Sequence, residues 1–98
     1  MDHDLGRDAR PVISLLLIDD HPVFRQGLRN IFATEEDIRV VGEGADGEQA
    51  LQLAHALRPD VLLLDINLPG INGLQVTSRL KADHLSTAIV LLTAYHDM

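Results

Sequence analysis

Apolar runs alternate along the chain with stretches in which apolar residues recur every three or four positions. The runs at 13–19, 38–44, 61–65 and 88–93 are short and rich in Leu, Ile and Val, which is typical of strands buried in a parallel sheet. The segments between these runs have the periodicity of amphipathic helices. Four strands separated by three helices predict βαβ units with right-handed crossovers, and therefore an α/β fold built on a parallel sheet.

Each helical segment has one apolar face that we expect to pack on the sheet. Pro22 suits the first position of the first helix, and the predicted inner face is Phe24, Leu28, Ile31 and Phe32. Asp46 and Gln49 resemble a capping box that opens the second helix. The inner face of that helix is predicted to be Ala50, Leu51, Ala54 and Leu57. The third helix follows the turn-rich segment INLPGING and carries Leu74, Val76 and Leu80.

Polar side chains end three of the four predicted strands. Asp19 and Asp20 end the first strand, Asp65 ends the third and Thr93 ends the fourth. The carboxyl ends of parallel strands share one edge of the sheet, so a strand order of 2-1-3-4 would bring these residues together. Close carboxylates do not all stay ionised unless a positive charge lies among them. Mg²⁺ accepts carboxylates, waters and phosphate oxygens, so the pattern predicts a magnesium site there.

Composition narrows the class of protein. The 98 residues, 46% of them hydrophobic, suit one small domain, and the lack of cysteine excludes disulfides and thiolate metal sites. No apolar stretch approaches the roughly 18 residues that a membrane helix requires. The net charge is −7 and the basic residues are scattered, which disfavours direct nucleic-acid binding. Residues 1–12 are mostly polar, and we expect them to form a flexible leader.

Three motifs, DDHPVFRQGL, DINLPGINGL and LLTA, follow predicted strands in this order. Together they resemble the receiver domain of bacterial two-component response regulators, in particular the nitrate-regulator subfamily with a helix-turn-helix output domain. The resemblance runs from residue 13 to 98. It implies a flavodoxin-like, doubly wound parallel sheet of order 2-1-3-4-5, of which four strands and three helices are expected here. It also implies a cytoplasmic signalling domain rather than an enzyme, with DNA contacted only through an output domain absent from these residues.

The same resemblance assigns roles at the predicted metal site. Asp65 would accept a phosphoryl group from a sensor histidine kinase, a recognised reaction of carboxylate nucleophiles. Asp20 and Asp65 would bind Mg²⁺ directly, and Asp19 would act through a water molecule. Asn67 would contribute its backbone carbonyl as a further ligand.

Other positions of the motifs receive supporting roles by resemblance. The hydroxyl of Thr93 would contact a phosphoryl oxygen, and the small side chain of Ala94 would leave access to it open. Pro69 and Gly70 would shape the loop after the third strand, and Gly73 would let the third helix begin close to it.

Other interpretations of these residues remain open. Asp20 before Pro22 could simply cap a helix, and Thr93 could be an ordinary strand residue. Four histidines show no ligand spacing and are expected at the surface or at helix ends, namely His21, His55, His84 and His96. A lone Tyr95 after a strand is more often a packing residue.

Two other functions compete with a receiver. A Mg²⁺-dependent hydrolase with an aspartate nucleophile would place carboxylates at the same edge, but it typically has D-x-D after the first strand and a cap domain. Here the motif is D-D-H-P. A plain flavodoxin-like binding module is disfavoured because no glycine-rich phosphate loop follows the first strand.

One expected feature of the family does not occur in these residues. Family members carry a lysine on a fifth strand, followed by an aromatic switch residue, whereas the only lysine here is Lys81 in the third predicted helix. We therefore expect the 98-residue chain to be phosphorylated poorly. We also expect the fourth strand to be an exposed apolar edge, which favours self-association as a dimer.

Overall fold

The computed structural model describes residues 11–92 and shows a parallel sheet flanked by helices. The strands are β1 (Ile13–Ile18), β2 (Ile38–Gly44), β3 (Val61–Asp65) and β4 (Ala88–Leu92). The helices are α1 (Pro22–Ala33), α2 (Gly47–Leu57) and α3 (Gly73–Ala82). The predicted alternation of strands and helices is confirmed, with boundaries that differ by a residue or two. None of the helices between residues 11 and 92 has the length and hydropathy required to cross a bilayer.

The strand order is β2-β1-β3-β4, and every neighbouring pair is parallel. This order confirms the predicted flavodoxin-like fold within the described residues. β1 and β3 are adjacent, with Ile18 opposite Leu64, so the residues that follow them leave the sheet side by side. The pairing of β1 with β2 shifts register between Leu15 and Leu16. β2 and β4 form the two edges of the sheet.

The main core lies between the sheet and helices α2 and α3. Its buried members alternate along the strands and recur on the helices, as expected for a sheet covered by helices. They are Leu16, Ile18, Ala50, Leu51, Ala54, Leu62, Leu64, Leu68, Val76 and Leu80.

Leu57 reaches the sheet as predicted but remains 40% exposed, whereas the prediction of Leu74 as an inner-face residue is wrong. Leu57 is the last residue of α2 and lies against Gly42 at the edge of the sheet, where little protein remains to cover it. Leu74 points away from the α3 face that carries the buried Val76, because two helical positions turn a side chain by about 200°.

Helix α1 covers the opposite face of the sheet alone among the described elements. It has no fully buried residue, although Leu28 and Phe32 are half-buried. Phe24 and Ile31 are 46% and 60% exposed, so the prediction that they belong to an inner face is wrong for this structure. One helix does not cover a sheet of four strands, and an apolar groove of about 250 Å³ remains between α1 and the sheet. It is lined by Ile13, Leu15, Phe32, Ile38, Val61, Leu63 and Val90.

A solution of the 98-residue chain is expected to self-associate through this face and the β4 edge. Val90 lines the apolar groove, lies on an edge strand and is 46% exposed, which favours pairing with another chain. Light scattering should give a mass above that of one chain. Val90→Lys should shift the chain toward monomer, whereas Leu74→Lys, on the helix that covers the other face, should leave its mass unchanged. A monodisperse monomer of the unmodified chain at high concentration would contradict the prediction.

Candidate functional site

The carboxyl ends of β1 and β3 bring three carboxylates together, as the sequence predicted. Ligand atoms of Asp19, Asp20, Asp65 and also His21 all lie within 4.8 Å of one another. Asp19 and Asp65 are buried, with relative exposures of 2% and 0%, while Asp20 is partly exposed. The site therefore lies at the edge of the sheet where parallel strands deliver ligand-binding residues.

His21 fixes one side of this acidic cluster. Its backbone N–H donates to Asp19 Oδ1 at 2.7 Å, and its ring Nδ1 lies 3.1 Å from the same oxygen. Nδ1 also lies 3.1 Å from Asp20 Oδ1. The hydrogen bond to Asp19 and the negative charge of Asp20 raise the pKa of His21. His21 is exposed and lies at a helix end, as predicted, and its ring in addition contacts both carboxylates.

The interpretation of Asp20 as a helix cap is wrong. The residue at the N-cap position of α1 is His21, and no side chain provides a capping hydrogen bond there. Pro22 occupies the first turn as predicted.

Three carboxylate oxygens of the cluster are buried and accept no hydrogen bond among the described residues, although His21 Nδ1 lies 3.1 Å from one of them, Asp20 Oδ1. They are Asp19 Oδ2, Asp20 Oδ1 and Asp65 Oδ2. A buried acceptor that lacks a donor destabilises a fold by about 1–3 kcal/mol, so such atoms are rare outside functional sites. Three of them in one place, all carboxylate oxygens, form a donor set that suits a hard divalent cation. The residues present therefore fit a bound metal ion.

The electrostatics of Asp65 follow from its position. Burial raises the pKa of its carboxyl, and the charges of Asp19 and Asp20 raise it further. A hydrogen bond from the N–H of Asn67 to Asp65 Oδ1, 3.0 Å long, and the nearby ring of His21 oppose the shift without reversing it. Asp65 is therefore held in a position where its ionised form is unfavourable unless a positive charge is added.

Asp65→Asn is expected to stabilise the metal-free protein at neutral pH. A carboxyl whose pKa is raised from 3.8 on folding binds its proton more tightly when folded, so its contribution favours folding at low pH and is lost as the pH rises through the folded pKa. The neutral amide avoids that loss and can still accept the hydrogen bond from Asn67. The thermal midpoint should rise at pH 7, by about 4 °C for each 1 kcal/mol of stability gained in a domain of this size. The increase in thermal midpoint should be smaller at pH 4. An equal increase at both pH values would contradict the prediction.

The loop after β3 brings α3 close to the site. The carbonyl of Ile66 accepts hydrogen bonds from Leu68 and from Gly73, at 3.1 and 2.9 Å. A Cβ on Gly73 would lie 2.6 Å from the Asp65 carbonyl oxygen, so a side chain there would force the helix away from the loop. Gly70 has a φ of +75°, a conformation that favours glycine, and the exposed Pro69 precedes it.

Hydrogen bonds at helix starts hold the loops around the site. The side chain of Asn72 accepts from the N–H of Gln75 at 2.9 Å, and Gln75 returns a bond to Asn72, forming a capping box for α3 that the sequence analysis missed. Asp46 accepts from the N–H of Gln49, as predicted. Gln49 accepts instead from Ala45, so the second half of that box is displaced by one residue.

Two predicted phosphoryl-contacting residues, Thr93 and Ala94, lie outside the described residues, as does Tyr95. The last described residue, Leu92, pairs with Asp65, and its carbonyl accepts from the N–H of Ile66 at 3.1 Å. The roles of Thr93 and Ala94 therefore stay predictions, as does the use of the Asn67 carbonyl as a ligand.

A second group of charges, missed by the sequence analysis, lies behind the carboxylates. Arg25 on α1 donates from Nη1 to the backbone carbonyl of Asp19 and from Nε to Glu43 on β2 at 3.1 Å. Arg29, one helical turn further on, donates to the second carboxylate oxygen of Glu43. In the sequence, the only indication of this charged group was the pair of arginines four residues apart that follows DDHP.

The comparison with known proteins agrees with this geometry. Residues 15–98 match the response regulator receiver domain family. The nitrate/nitrite response regulator protein NarL of Escherichia coli K12 is 46% identical over 80 residues, covering 82% of this chain and 37% of that protein. The response regulator protein VraR of Staphylococcus epidermidis is 40% identical over 83 residues, covering 85% of this chain and 40% of that protein.

A solved structure shares the fold. The signal receiver domain of the putative response regulator NarL from Mycobacterium tuberculosis superposes with a TM-score of 0.84 at 37% identity, covering 89% of this chain and 70% of that chain. The chain spans less than half the length of the curated relatives it matches. These matches do not favour the hydrolase alternative, and with the acidic cluster at the ends of β1 and β3 they establish that the chain belongs to the response regulator receiver domain family.

Proposed function

We propose that this chain accepts a phosphoryl group on Asp65 from a sensor histidine kinase, in a Mg²⁺-dependent reaction, and passes the signal to a DNA-binding output domain. The observation that carries the proposal is the set of three buried carboxylate oxygens that accept no hydrogen bond among the described residues, one of which belongs to Asp65. A protein that only needed a stable fold would gain nothing from burying these charges together. In a site that binds a cation and accepts a phosphoryl group, each of these carboxylates has a role.

The chemistry divides among the residues of the cluster. Asp19, Asp20 and Asp65 would hold the metal ion, together with the Asn67 carbonyl. Mg²⁺, when bound, would neutralise charge on these carboxylates and on the phosphoryl oxygens. An Asp65 oxygen forms the new bond to phosphorus while the bond from phosphorus to the phosphodonor's histidine nitrogen breaks, which leaves that histidine without its phosphoryl group. The Asn67 N–H already orients Asp65 Oδ1, so the carboxylate is held in place before the donor arrives.

The protein acts in this proposal as the recipient of a phosphoryl group and not as a general catalyst. It would be modified once per chain and would at most catalyse its own phosphorylation and dephosphorylation. We further propose a cytoplasmic location, where a sensor kinase's catalytic part would reach it, and self-association through the apolar α1 face. Residues 1–12 would serve as a leader ahead of the domain.

Labelling with a small phosphodonor tests the proposal against the hydrolase alternative. Incubation with acetyl phosphate and Mg²⁺ should add one phosphoryl group per chain, in a linkage that hydroxylamine cleaves, as expected for an acyl phosphate. The same protein should not turn over a general phosphomonoester such as p-nitrophenyl phosphate. Repeated turnover of the phosphomonoester without a labelled protein would contradict the proposal and favour the hydrolase.

A further inference from the structure

Arg25 connects the metal site to the edge of the sheet. It lies in the first turn of α1, and its side chain is 20% exposed. Its guanidinium group donates to two acceptors, the backbone carbonyl of Asp19 and the carboxylate of Glu43. The planar guanidinium presents its donors in a fixed fork, so one arginine can hold both acceptors at a set angle.

Glu43 is in turn anchored on both of its oxygens. Arg25 donates to Oε1 and Arg29 to Oε2, while the backbone of Glu43 lies in β2 opposite Leu17 of β1. Burial alone would raise the pKa of Glu43, but hydrogen bonds from Arg29 and Arg25 outweigh it and lower the pKa. Glu43 is therefore an ionised side chain held in place on β2. It anchors Arg25, which also contacts the loop that carries Asp19 and Asp20.

The contact of Arg25 determines the orientation of one peptide group. The Asp19 N–H donates to the Gly44 carbonyl at 3.1 Å, and the Asp19 carbonyl accepts from Arg25. The Asp19 N–H is therefore bound directly to β2, and the Asp19 carbonyl is connected to β2 through Arg25 and Glu43. The Asp19 carbonyl belongs to the peptide that leads to Asp20, so fixing it limits the rotations that set the direction of the Asp20 side chain.

We propose that Arg25, held by Glu43, is a positioning residue that fixes the Asp19–Asp20 peptide in the orientation in which Asp20 and its neighbours bind Mg²⁺. The inference rests on the proposed function, because it assigns Arg25 a role toward the metal ion of that site. Replacing a group that orients a metal ligand typically lowers metal affinity 10–100-fold. Arg25 acts on the backbone between two ligands, so we expect its loss to weaken Mg²⁺ binding by about tenfold.

Arg29 provides a matched control within the same helix. Both arginines pair with Glu43, but among the contacts described only Arg25 reaches the Asp19 carbonyl. Arg25→Gln and Arg29→Gln remove the same charge from the same ion pair. A role limited to holding α1 on β2 predicts similar effects of the two variants, whereas a positioning role predicts an effect of Arg25→Gln alone on the metal site.

The test measures Mg²⁺ affinity and one backbone signal in the 98-residue protein. Titration followed by NMR should give a dissociation constant about tenfold higher for Arg25→Gln and within about twofold of the unmodified protein for Arg29→Gln. Arg25→Lys should resemble Arg25→Gln, because an ammonium group cannot hold both acceptors in the same geometry. Without Mg²⁺, Arg25→Gln should move the carbonyl ¹³C resonance of Asp19 and the amide ¹⁵N resonance of Asp20, and Arg29→Gln should leave both in place.

The outcomes separate this inference from the proposed function. Equal loss of affinity in both variants, or unchanged affinity and unchanged Asp19 carbonyl signal in Arg25→Gln, would overturn the positioning role. If the unmodified protein binds no Mg²⁺ near Asp20, both the proposed metal site and the role assigned to Arg25 toward it are wrong. In that case a shifted Asp19 carbonyl signal in Arg25→Gln would show only that the contact exists. Thermal unfolding of each variant checks that the loss of affinity is not a loss of fold.

Discussion

Asp65→Asn is expected to abolish labelling of the protein by acetyl phosphate in the presence of Mg²⁺. An amide is a far weaker nucleophile than a carboxylate, and its product with a phosphoryl group would not be an acyl phosphate. Mass spectrometry of the intact protein should show one phosphoryl group on the unmodified chain and none on the variant. Because the lysine expected from the family resemblance lies outside these 98 residues, labelling should be slow and is best compared at long incubation times.

Asp46→Asn is the matched control for that experiment. Asp46 follows β2 at the same edge of the sheet and caps α2 through the N–H of Gln49. Asparagine caps helices as well as aspartate does, so the substitution makes the same chemical change without disturbing the fold. It should leave labelling unchanged. Labelling that survives Asp65→Asn, or that Asp46→Asn removes, would show that Asp65 is not the phosphoacceptor.

Asp20→Ala is expected to weaken Mg²⁺ binding by at least about 100-fold, which is the upper end of the effect of groups that merely support ligands. The partly exposed Asp20 contributes a buried carboxylate oxygen that accepts no hydrogen bond among the described residues and lies 3.1 Å from His21 Nδ1. Mg²⁺ is usually bound through only one or two carboxylates in proteins, so the loss of one leaves little to hold it. Titration of the unmodified protein should shift the amide resonances of Asp20 and Asn67, and the variant should show no saturable change.

Glu48→Ala controls for the loss of charge in that titration. Glu48 lies exposed in the first turn of α2, so this variant removes one negative charge outside the cluster. Its affinity for Mg²⁺ should remain within about twofold of the unmodified protein, since charges at the surface are largely screened by salt. Equal weakening by the two substitutions would mean that the protein attracts Mg²⁺ through its net charge and not through a defined site.

The sequence by itself determined the order of elements and the place of the acidic cluster. The runs around Leu16, Leu62 and Ile89 are continuously apolar, as is typical of strands in a parallel sheet, and that pattern is visible without any structure. Right-handed crossovers then place the ends of all strands at one edge, so Asp19 and Asp65 had to lie close once β1 and β3 were neighbours. Local pattern and general topology rules were sufficient for these conclusions.

The exposure of the first helix depended on the tertiary structure. Phe24 and Ile31 have the spacing of a buried face, and periodicity cannot reveal how many neighbours a face will have. In the described residues α1 lies alone on its side of the sheet, so of its apolar side chains only Leu28 and Phe32 are half-buried. Burial is a property of the whole packing arrangement, which the spacing of apolar residues does not specify.

The supporting contacts of the site were decided only by the tertiary structure. Arg25 and Glu43 are separated by 18 positions, and neither belongs to a recognisable spacing with the other. They meet because β2 pairs with β1 and α1 packs beside it, which brings a helix side chain, a strand side chain and the Asp19 carbonyl to one point. By contrast, the ring of His21 reaches Asp19 and Asp20 through the local turn that precedes α1. Sequence patterns specify which residues share an element, whereas contacts between elements follow from the relative placement of their backbones.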